Sequence, residues 1–521
     1  MDEYILGISA LYHNAAAALT RGGEIIAAAE EERFTRKKGD ASFPINAIKF
    51  CLDSSGLMPE ELSAVAFYET VTTKFERIQT GIFLNVPKSL PQFLTAMPDW
   101  ITNKLWIENK TRKELGWRGP FYYVPHHLAH AASAYYPSPF NDAAVLTVDG
   151  VGEWSSLTWG VGEGGSLTIK ESLDYPNSLG LLYSAFTLYT GFKINNGEYK
   201  MMGLAPYGKP VYADRIKTEL VRIAPDGSFL LNQKYFSYTY GLKTFTPAFE
   251  ELFGRKTRAA AEPIEPFHAD VAASIQQVTN EILLLTARNV REKTGKRHLV
   301  MAGGVALNVT ANGLLRQSKI FDDIWIQPAA GDAGGAVGAA LSTYYNVSGA
   351  QKAASATDGM KGSLLGYRIP DESKEDDEAL RRLGAKWTVM PRKALQEKAA
   401  KLLSEGKIIG VACGRAEYGP RALGNRSILA DARDPAMLQR LNKKIKFREG
   451  FRPFAPIVLE EDAPLFFEIE GTSPYMLFTF PVKPERRLPV AREERVEDTA
   501  ALARSDIPSV THVDILPGSR R

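Results

Sequence analysis

Cysteine is scarce in this 521-residue chain: Cys51 and Cys413 are the only two, and they lie far apart. That excludes a disulfide framework and fits a reducing cytoplasm. Long apolar runs are missing as well, since no uninterrupted stretch approaches the ~20 residues that span a bilayer. The amino terminus, MDEYILGISALYHN, puts Asp2 and Glu3 ahead of a short apolar run with no basic residue before it, so it is not a secretory signal. Charge of one sign is not in large excess either. A formal net charge of +3 argues against a surface built as a whole to hold nucleic acid, and neither a nucleic-acid nor a membrane partner is expected. What is present is 45% hydrophobic and 24% charged, the composition of an ordinary globular protein, over a length that calls for two or three domains. The expectation is a soluble, cytoplasmic, multidomain protein.

A weak internal duplication organises the first part of the chain. Residues 4–34 read as strand (YILGISAL), turn (YHN), strand (AAAALT), turn (RGG) and strand (EIIAAAE). Residues 143–173 repeat that order with AAVLTV, DGVGE, SSLTWGVG, EGG and LTIKESL. Two such halves facing a cleft describe the actin, hexokinase and heat-shock ATPase architecture, in which the first turns grip nucleotide phosphates. Residues 71–120 interrupt the first half with NVPKSLPQFLTAMPDW, whose prolines break any long helix; this is expected to be an insertion covering a core or an interface. Between 346 and 362 the small, polar NVSGAQKAASATDGMKG reads as a linker. Beyond it KWTVM and KIIGVAC read as strands and RKALQEKAAKLLSEG as a helix. The domains expected are therefore 1–345, a linker at 346–362, and a second α/β domain at 363–521.

The chemistry concentrates around HHLAHAASA. His126 and His130 are four apart, so on a helix they project from one face about one turn apart, while His127 turns away into the scaffold or toward solvent. The following strand, AAVLTVDG, delivers Asp149 at its carboxyl end. Two imidazoles and a carboxylate with positions left open suit a catalytic transition metal. Two Gly-rich strand-to-helix turns follow, one at Gly303-Gly304 and one as a loop from Gly331 to Gly335; such turns let backbone approach a ligand and offer helix N–H groups to anions. Asp332, in the second loop, can complete the metal shell or hold a metal-bound water. His13 sits in the first turn, where actin-like kinases commonly place a carboxylate; it can donate a proton or hydrogen bond to a neutral group, or be structural. Farther on, residues 407–452 hold eleven Lys or Arg against Glu417, Asp431, Asp434 and Glu449. This implies an anionic ligand, with Arg421, Arg426, Arg448 and Arg452 of the type that grips phosphate bidentately. Tyr418, Phe447 and Phe451 are the few aromatics there for base stacking, which favours small phosphates over nucleic acid.

GEYKMMGLAPYG (197–208), HHLAHAASA, AGGVALN (302–308), GPRALGNRSILADAR and FREGFRPFAPIVL (447–459) resemble the O-carbamoyltransferases of antibiotic and nodulation-factor biosynthesis, such as the tobramycin, cephamycin, novobiocin and nodulation enzymes. The resemblance runs from residue 4 to about 514. It implies an α/β fold with an actin-like (ASKHA), duplicated ribonuclease H-like domain followed by a YrdC-like domain. It also implies that ATP and carbamoyl phosphate, with Mg2+, give carbamoyl-adenylate in the second domain. The carbamoyl group then passes to a hydroxyl of a small-molecule or glycan acceptor in the first. On this resemblance His126, His130, Asp149 and Asp332 are ligands of Fe2+ or another divalent transition metal, and His13 contacts the carbamoyl group, with His13 and Asp149 as the catalytic pair. Gly303, Gly304, Asn308 and Gly331 form the nucleotide-binding turns, and Arg415, Arg421, Lys446 and Arg452 bind carbamoyl phosphate and ATP. A homodimer is compatible with this reading.

Two departures from the family pattern stand out. Family members continue past THVD with a Gly/Arg-containing strand and a loop rich in Asn, Thr and Ser, whereas this sequence reads THVDILPGSRR. Ala416 also replaces the family's usual Met. The expectation is a first site that is kept and an adenylate-forming site that is incomplete. The competing expectations are a truncated, catalytically silent binder of nucleotide and metal, and an actin-like kinase.

Overall fold

The meander read from residues 4–34 is β1 (Tyr4–Ser9), β2 (Ala16–Arg21) and β3 (Glu24–Glu30), paired antiparallel. β4 (Ala64–Phe67) and β5 (Phe121–Tyr123) add to it in parallel, giving the order β3-β2-β1-β4-β5. A second meander, β6 (Asp142–Val148), β7 (Ser155–Glu163) and β8 (Ser166–Asp174), is followed by the small ribbon of β9 (Val221–Ile223) and β10 (Phe229–Leu231). β11 (His298–Ala302) and β12 (Asp323–Ile326) then join β6 in parallel, so the second sheet runs β8-β7-β6-β11-β12. That order is the first sheet repeated: the duplicated, actin-like arrangement of mixed α/β sheets. β1, β2 and β6 are buried along nearly their whole length, which is why they read as continuous apolar runs rather than alternating ones.

The helices that position the site are α1 (Ile45–Asp53), α2 (Val71–Leu84), α3 (Leu90–Thr102), α4 (Ile107–Leu115), α5 (His126–Tyr135), α6 (Leu179–Tyr189), α7 (Pro266–Thr294), α8 (Val309–Gln317) and α9 (Asp332–Ser348). α5 follows the first sheet in sequence yet packs against β6 and β11 of the second, while α9 follows the second sheet yet packs against β1 and β2 of the first. The two helices also lie against each other. Small residues make this contact possible. A Cβ on Gly338 of α9 would stand 1.7 Å from the Ala129 carbonyl oxygen of α5, and one on Gly7 of β1 would stand 1.9 Å from the Ala336 carbonyl oxygen of α9.

Three local expectations change. The stretch Gly331 to Gly335 is not a loop: Gly331 is the N-cap of α9, and Asp332 is its first helical residue. Gly334 and Gly335 serve packing instead, facing the Ala329 carbonyl and the Tyr68 ring. Pro98 lies inside α3 and does not end it. The carbonyl it leaves unbonded belongs to Leu94, an exposed residue. Residues 386–390 form no strand; they are largely exposed and have no neighbouring strand among the described residues to supply a ladder.

The computed structural model describes residues 3–353, 355–369, 374–489 and 496–513. The carboxyl-terminal residues 514–521, on which the expected incompleteness rests, lie outside the described residues. Met1–Leu365 with Tyr418–Pro420 and Met476–Thr479 form one compact unit, and Gly366–Glu417, Arg421–Tyr475 and Phe480–Arg521 form another. Within the first unit, the segment read as a linker lies against the end of α5. Lys352 Nζ donates to the Tyr135 carbonyl at 3.0 Å and to Ser138 Oγ at 3.2 Å, and Gly359 N–H donates to the Pro137 carbonyl at 2.7 Å. The second unit carries the helix α10 (Arg392–Ser404) and an antiparallel pair, β13 (Ile409–Ala412) and β14 (Arg426–Leu429). No helix among the described residues is long and apolar enough to cross a membrane.

Candidate metal and transfer site

α5 begins directly at His126, and its first N–H is capped from a distance. The Glu153 carboxylate, on the turn after β6, accepts from His126 N–H at 3.0 Å and from Thr70 N–H at 2.6 Å. A carboxylate at a helix amino terminus satisfies orphan donors and meets the positive end of the dipole. With the start of α5 fixed in this way, His126 and His130 face one point, fully buried, with their Nε2 atoms 3.1 Å apart. Two nitrogens bound at right angles to one ion by bonds of about 2.0–2.1 Å would stand about 3 Å apart.

The carboxylates close around that point. Asp149 Oδ2, at the end of β6, lies 3.2 Å from His126 Nε2 and 3.9 Å from His130 Nε2. Its other oxygen accepts the Gly304 N–H at 2.7 Å. Asp332 Oδ1, presented by the first turn of α9, lies 3.9 Å and 3.8 Å from the same two nitrogens. One ligand atom from each of the four residues falls within 4.8 Å of the others. The donor set of two nitrogens and two oxygens fits a divalent transition metal.

Without an ion the cluster holds a proton. Burial pulls His126 down, but its hydrogen bond to Asp149 and the charges of Asp332, Asp149 and Glu153 outweigh that and lift it to about 9. Burial, and then the charge on His126, press His130 down to about 4 and His127 to about 3. Burial would raise the Asp149 carboxyl, yet the hydrogen bond from His126 and the nearby imidazoles hold it well below the usual carboxylate range. The His126 imidazole therefore carries the proton and donates to Asp149, while His130 stays neutral. Packing holds the His126 ring, through an edge contact to Tyr68 at 5.3 Å and the close approach of Gly152, where a Cβ would sit 2.9 Å from the histidine. The Nδ1 atoms of His126 and His130 have no hydrogen-bond partner among the described residues. His127 does not face solvent: its Nδ1 lies 2.6 Å from Thr147 Oγ1.

His13 joins the cluster from the β1–β2 turn. Its Nδ1–H donates to Asn14 Oδ1 at 2.9 Å, and its Nε2 lies 3.6 Å from Asp332 Oδ2. Leu11 and Asn14 in that turn both have positive φ, 72° and 52°, strain of a kind concentrated at functional turns. Gly303, at φ 93°, lies where a Cβ would meet the Val148 carbonyl at 2.3 Å, so only glycine brings this turn up to β6. Asn308 has another occupation. Its Oδ1 caps α8 by accepting Ala311 N–H, and its Nδ2 donates to Gln276 Oε1, each at 3.1 Å.

In the second unit, Arg415 and Arg421 lie on the connection between β13 and β14, and Lys446 and Arg452 flank the turn at Phe447. Sequence reading missed the residue that shapes the first of these. The Glu417 carboxylate accepts the N–H groups of Leu423, Asn425 and Arg426 at 2.9, 2.8 and 3.2 Å. It missed Glu153 as well, because the distance from a turn at 153 to a helix start at 126 is set only by the tertiary fold.

Residues 4–341 match the model of the carbamoyltransferase N-terminus, and residues 400–518 match that of the carbamoyltransferase C-terminus. The chain belongs to the carbamoyltransferase family. It is a transferase enzyme. Over 98% of its length this carbamoyltransferase is 46% identical to the uncharacterized protein sll1178 of Synechocystis sp., covering 85% of that protein. It is 34% identical over 94% of its length to nodulation protein NolNO of Sinorhizobium fredii, covering 69% of it. Among solved structures, component A of the Acidaminococcus fermentans (R)-2-hydroxyglutaryl-CoA dehydratase is similar at 14% identity and a TM-score of 0.35, over 66% of this chain and 99% of that one. The repeated strand order, rather than this distant likeness, identifies the fold.

Proposed function

We propose that this carbamoyltransferase takes carbamoyl phosphate, ATP and water to carbamoyl-adenylate, pyrophosphate and inorganic phosphate, and passes the carbamoyl group to a hydroxyl of a small-molecule or glycan acceptor. The observation that carries the reading is the convergence of His126, His130, Asp149 and Asp332 within 4.8 Å, with His13 Nε2 3.6 Å from Asp332. Residues 1–345 form the transfer domain, 346–362 the linker, and 363–521 the YrdC-like, adenylate-forming domain. There Arg415, Arg421, Lys446 and Arg452 hold the phosphates of carbamoyl phosphate and ATP, as arginine forks and lysine point charges do. In the transfer step the acceptor oxygen bonds to the carbamoyl carbon, the bond from that carbon to the phosphate oxygen breaks, AMP leaves, and the hydroxyl proton passes to water.

A divalent transition metal, iron in the family reading, would be held by His126, His130, Asp149 and Asp332 and would supply positive charge beside the adenylate phosphate. His13 contacts the carbamoyl group, with Asp332 orienting its ring. The Gly303-Gly304 turn and Gly331 at the start of α9 offer backbone to the nucleotide. Asn308 serves that turn by capping the helix behind it.

The test combines product analysis with metal content. ATP and carbamoyl phosphate should yield pyrophosphate, and an acceptor screen by mass spectrometry should show a carbamoyl mass gain together with AMP. His126→Ala and His130→Ala should each lose stoichiometric metal and the transfer step. ADP as the product, with no carbamoylated acceptor, would replace this reading with a kinase.

A further inference from the structure

The first half carries a longer crossover than the second. The chain from β11 to β12 runs through residues 303–322, whereas that from β4 to β5 runs through 68–120. The extra length begins with α2, and α2 carries two buried cations one turn apart, Lys74 and Arg77, only 7% and 8% exposed. Buried Lys and Arg are rare unless they are paired.

Lys74 is paired: its Nζ forms an ion pair with Glu69 and lies 5.0 Å from the Tyr12 ring centroid. Arg77 is not. Its guanidinium lies 4.8 Å from the ring centroid of Tyr175, against that residue's hydroxyl end. It makes no ion pair among the described residues, and its Nε is buried with no hydrogen-bond partner. The acids whose fields reach it, Glu69 and Glu153, are committed elsewhere: Glu69 to Lys74, and Glu153 to the N–H groups of Thr70 and His126. A buried guanidinium without a counter-ion is strongly unfavourable, and an oxyanion ligand removes the penalty through the fork that Arg presents.

Its surroundings connect it to the transfer site. Tyr12, beside Lys74, lies tilted against His13 with ring centroids 4.6 Å apart. The hydroxyl of Tyr68 is also buried without a partner among the described residues, in a side chain packed on His126. Arg77 Nε and the Tyr68 hydroxyl are thus buried donors without a partner among the described residues, as the Nδ1 atoms of His126 and His130 are.

We propose that Arg77 binds an anionic group, a carboxylate, sulfate or phosphate, carried by the hydroxyl acceptor. α2 then forms an acceptor-recognition wall in which the Tyr175 ring holds the guanidinium in place. This rests on the reading of the chain as a transferase to an alcohol. Acceptor, rather than donor, is the assignment because α2 belongs to the extra length of the first half's crossover and not to the repeated turns proposed to hold nucleotide.

The experiment uses the full, metal-loaded protein and inorganic sulfate as the probe, titrated by calorimetry with and without saturating AMP to fill the donor phosphate position. Wild type should bind sulfate with AMP present. Arg77→Gln should weaken that binding by about tenfold or more, the size of a lost charged hydrogen bond, and Arg77→Lys should retain part of it. Thermal melting and metal content of both variants show whether the fold is intact, and Arg77→Lys carries the comparison if Arg77→Gln melts early. Sulfate binding that AMP abolishes would reassign Arg77 to the donor. Equal affinity in wild type and variants, or no sulfate bound by wild type, would overturn the proposal. No turnover is involved, so failure here is distinct from failure to form carbamoyl-adenylate.

Discussion

At the scale of single residues, the site depends on side chains that cannot move far. His126 has no hydrogen bond on Nδ1 among the described residues, so its orientation comes from Tyr68 on one side and the bare backbone of Gly152 on the other. Adding one methyl group tests this. Gly152→Ala would place a Cβ 2.9 Å from His126 and turn the imidazole away from Asp149. Metal affinity is expected to fall about tenfold, the lower end for losing a supporting neighbour of a ligand, as read by competition with a chelating dye, with the melting profile close to wild type. The grouping of these side chains was legible from sequence for a local reason: His126 and His130 share a helix face, and Asp149 ends an apolar strand. Arg77 and Glu153 were not, since both acquire meaning from partners across the fold.

At the scale of elements, the decisive contact is between α5 and α9. One carries both histidines and the other Asp332, so their spacing sets the width of the site. Gly338→Ala would put a Cβ 1.7 Å from the Ala129 carbonyl oxygen, which no rotamer relieves. Overpacking of this sort costs about 3 kcal/mol or more. Urea unfolding should show that loss, together with reduced metal content. Unchanged stability would mean that the helices separate easily and that the small-residue seam is not what positions the ligands. The seam also explains a misreading. GDAGGAVGAALS has the glycine content of a loop, and only the pressure of Ala129, Ala329 and Tyr68 against it shows why a helix there needs glycine. The strand order, by contrast, was visible in outline, because each meander is local and its turns are short.

At the scale of the whole molecule, the first unit draws the four residues of the candidate metal site from distant parts of the sequence: α5, the end of β6, and α9. An ion bound by all of them stabilises the folded unit against the unfolded chain by mass action, about 2.7 kcal/mol when free metal stands at about 100 times Kd. Chelation is therefore expected to lower the melting temperature of the wild-type protein and to leave that of His130→Ala unchanged. A chelator that leaves wild type unaffected would count against the metal assignment.

The exchange of α5 and α9 between the two sheets has a mechanical consequence. Each helix is fastened to the other half, so any swing that parts the sheets must turn about the place where the two cross. Points near an axis scarcely travel, whereas the rim sweeps the widest arc. His126, His130 and Asp332 stand at that fulcrum. In any such swing an ion held by those side chains would be displaced less than groups at the rim.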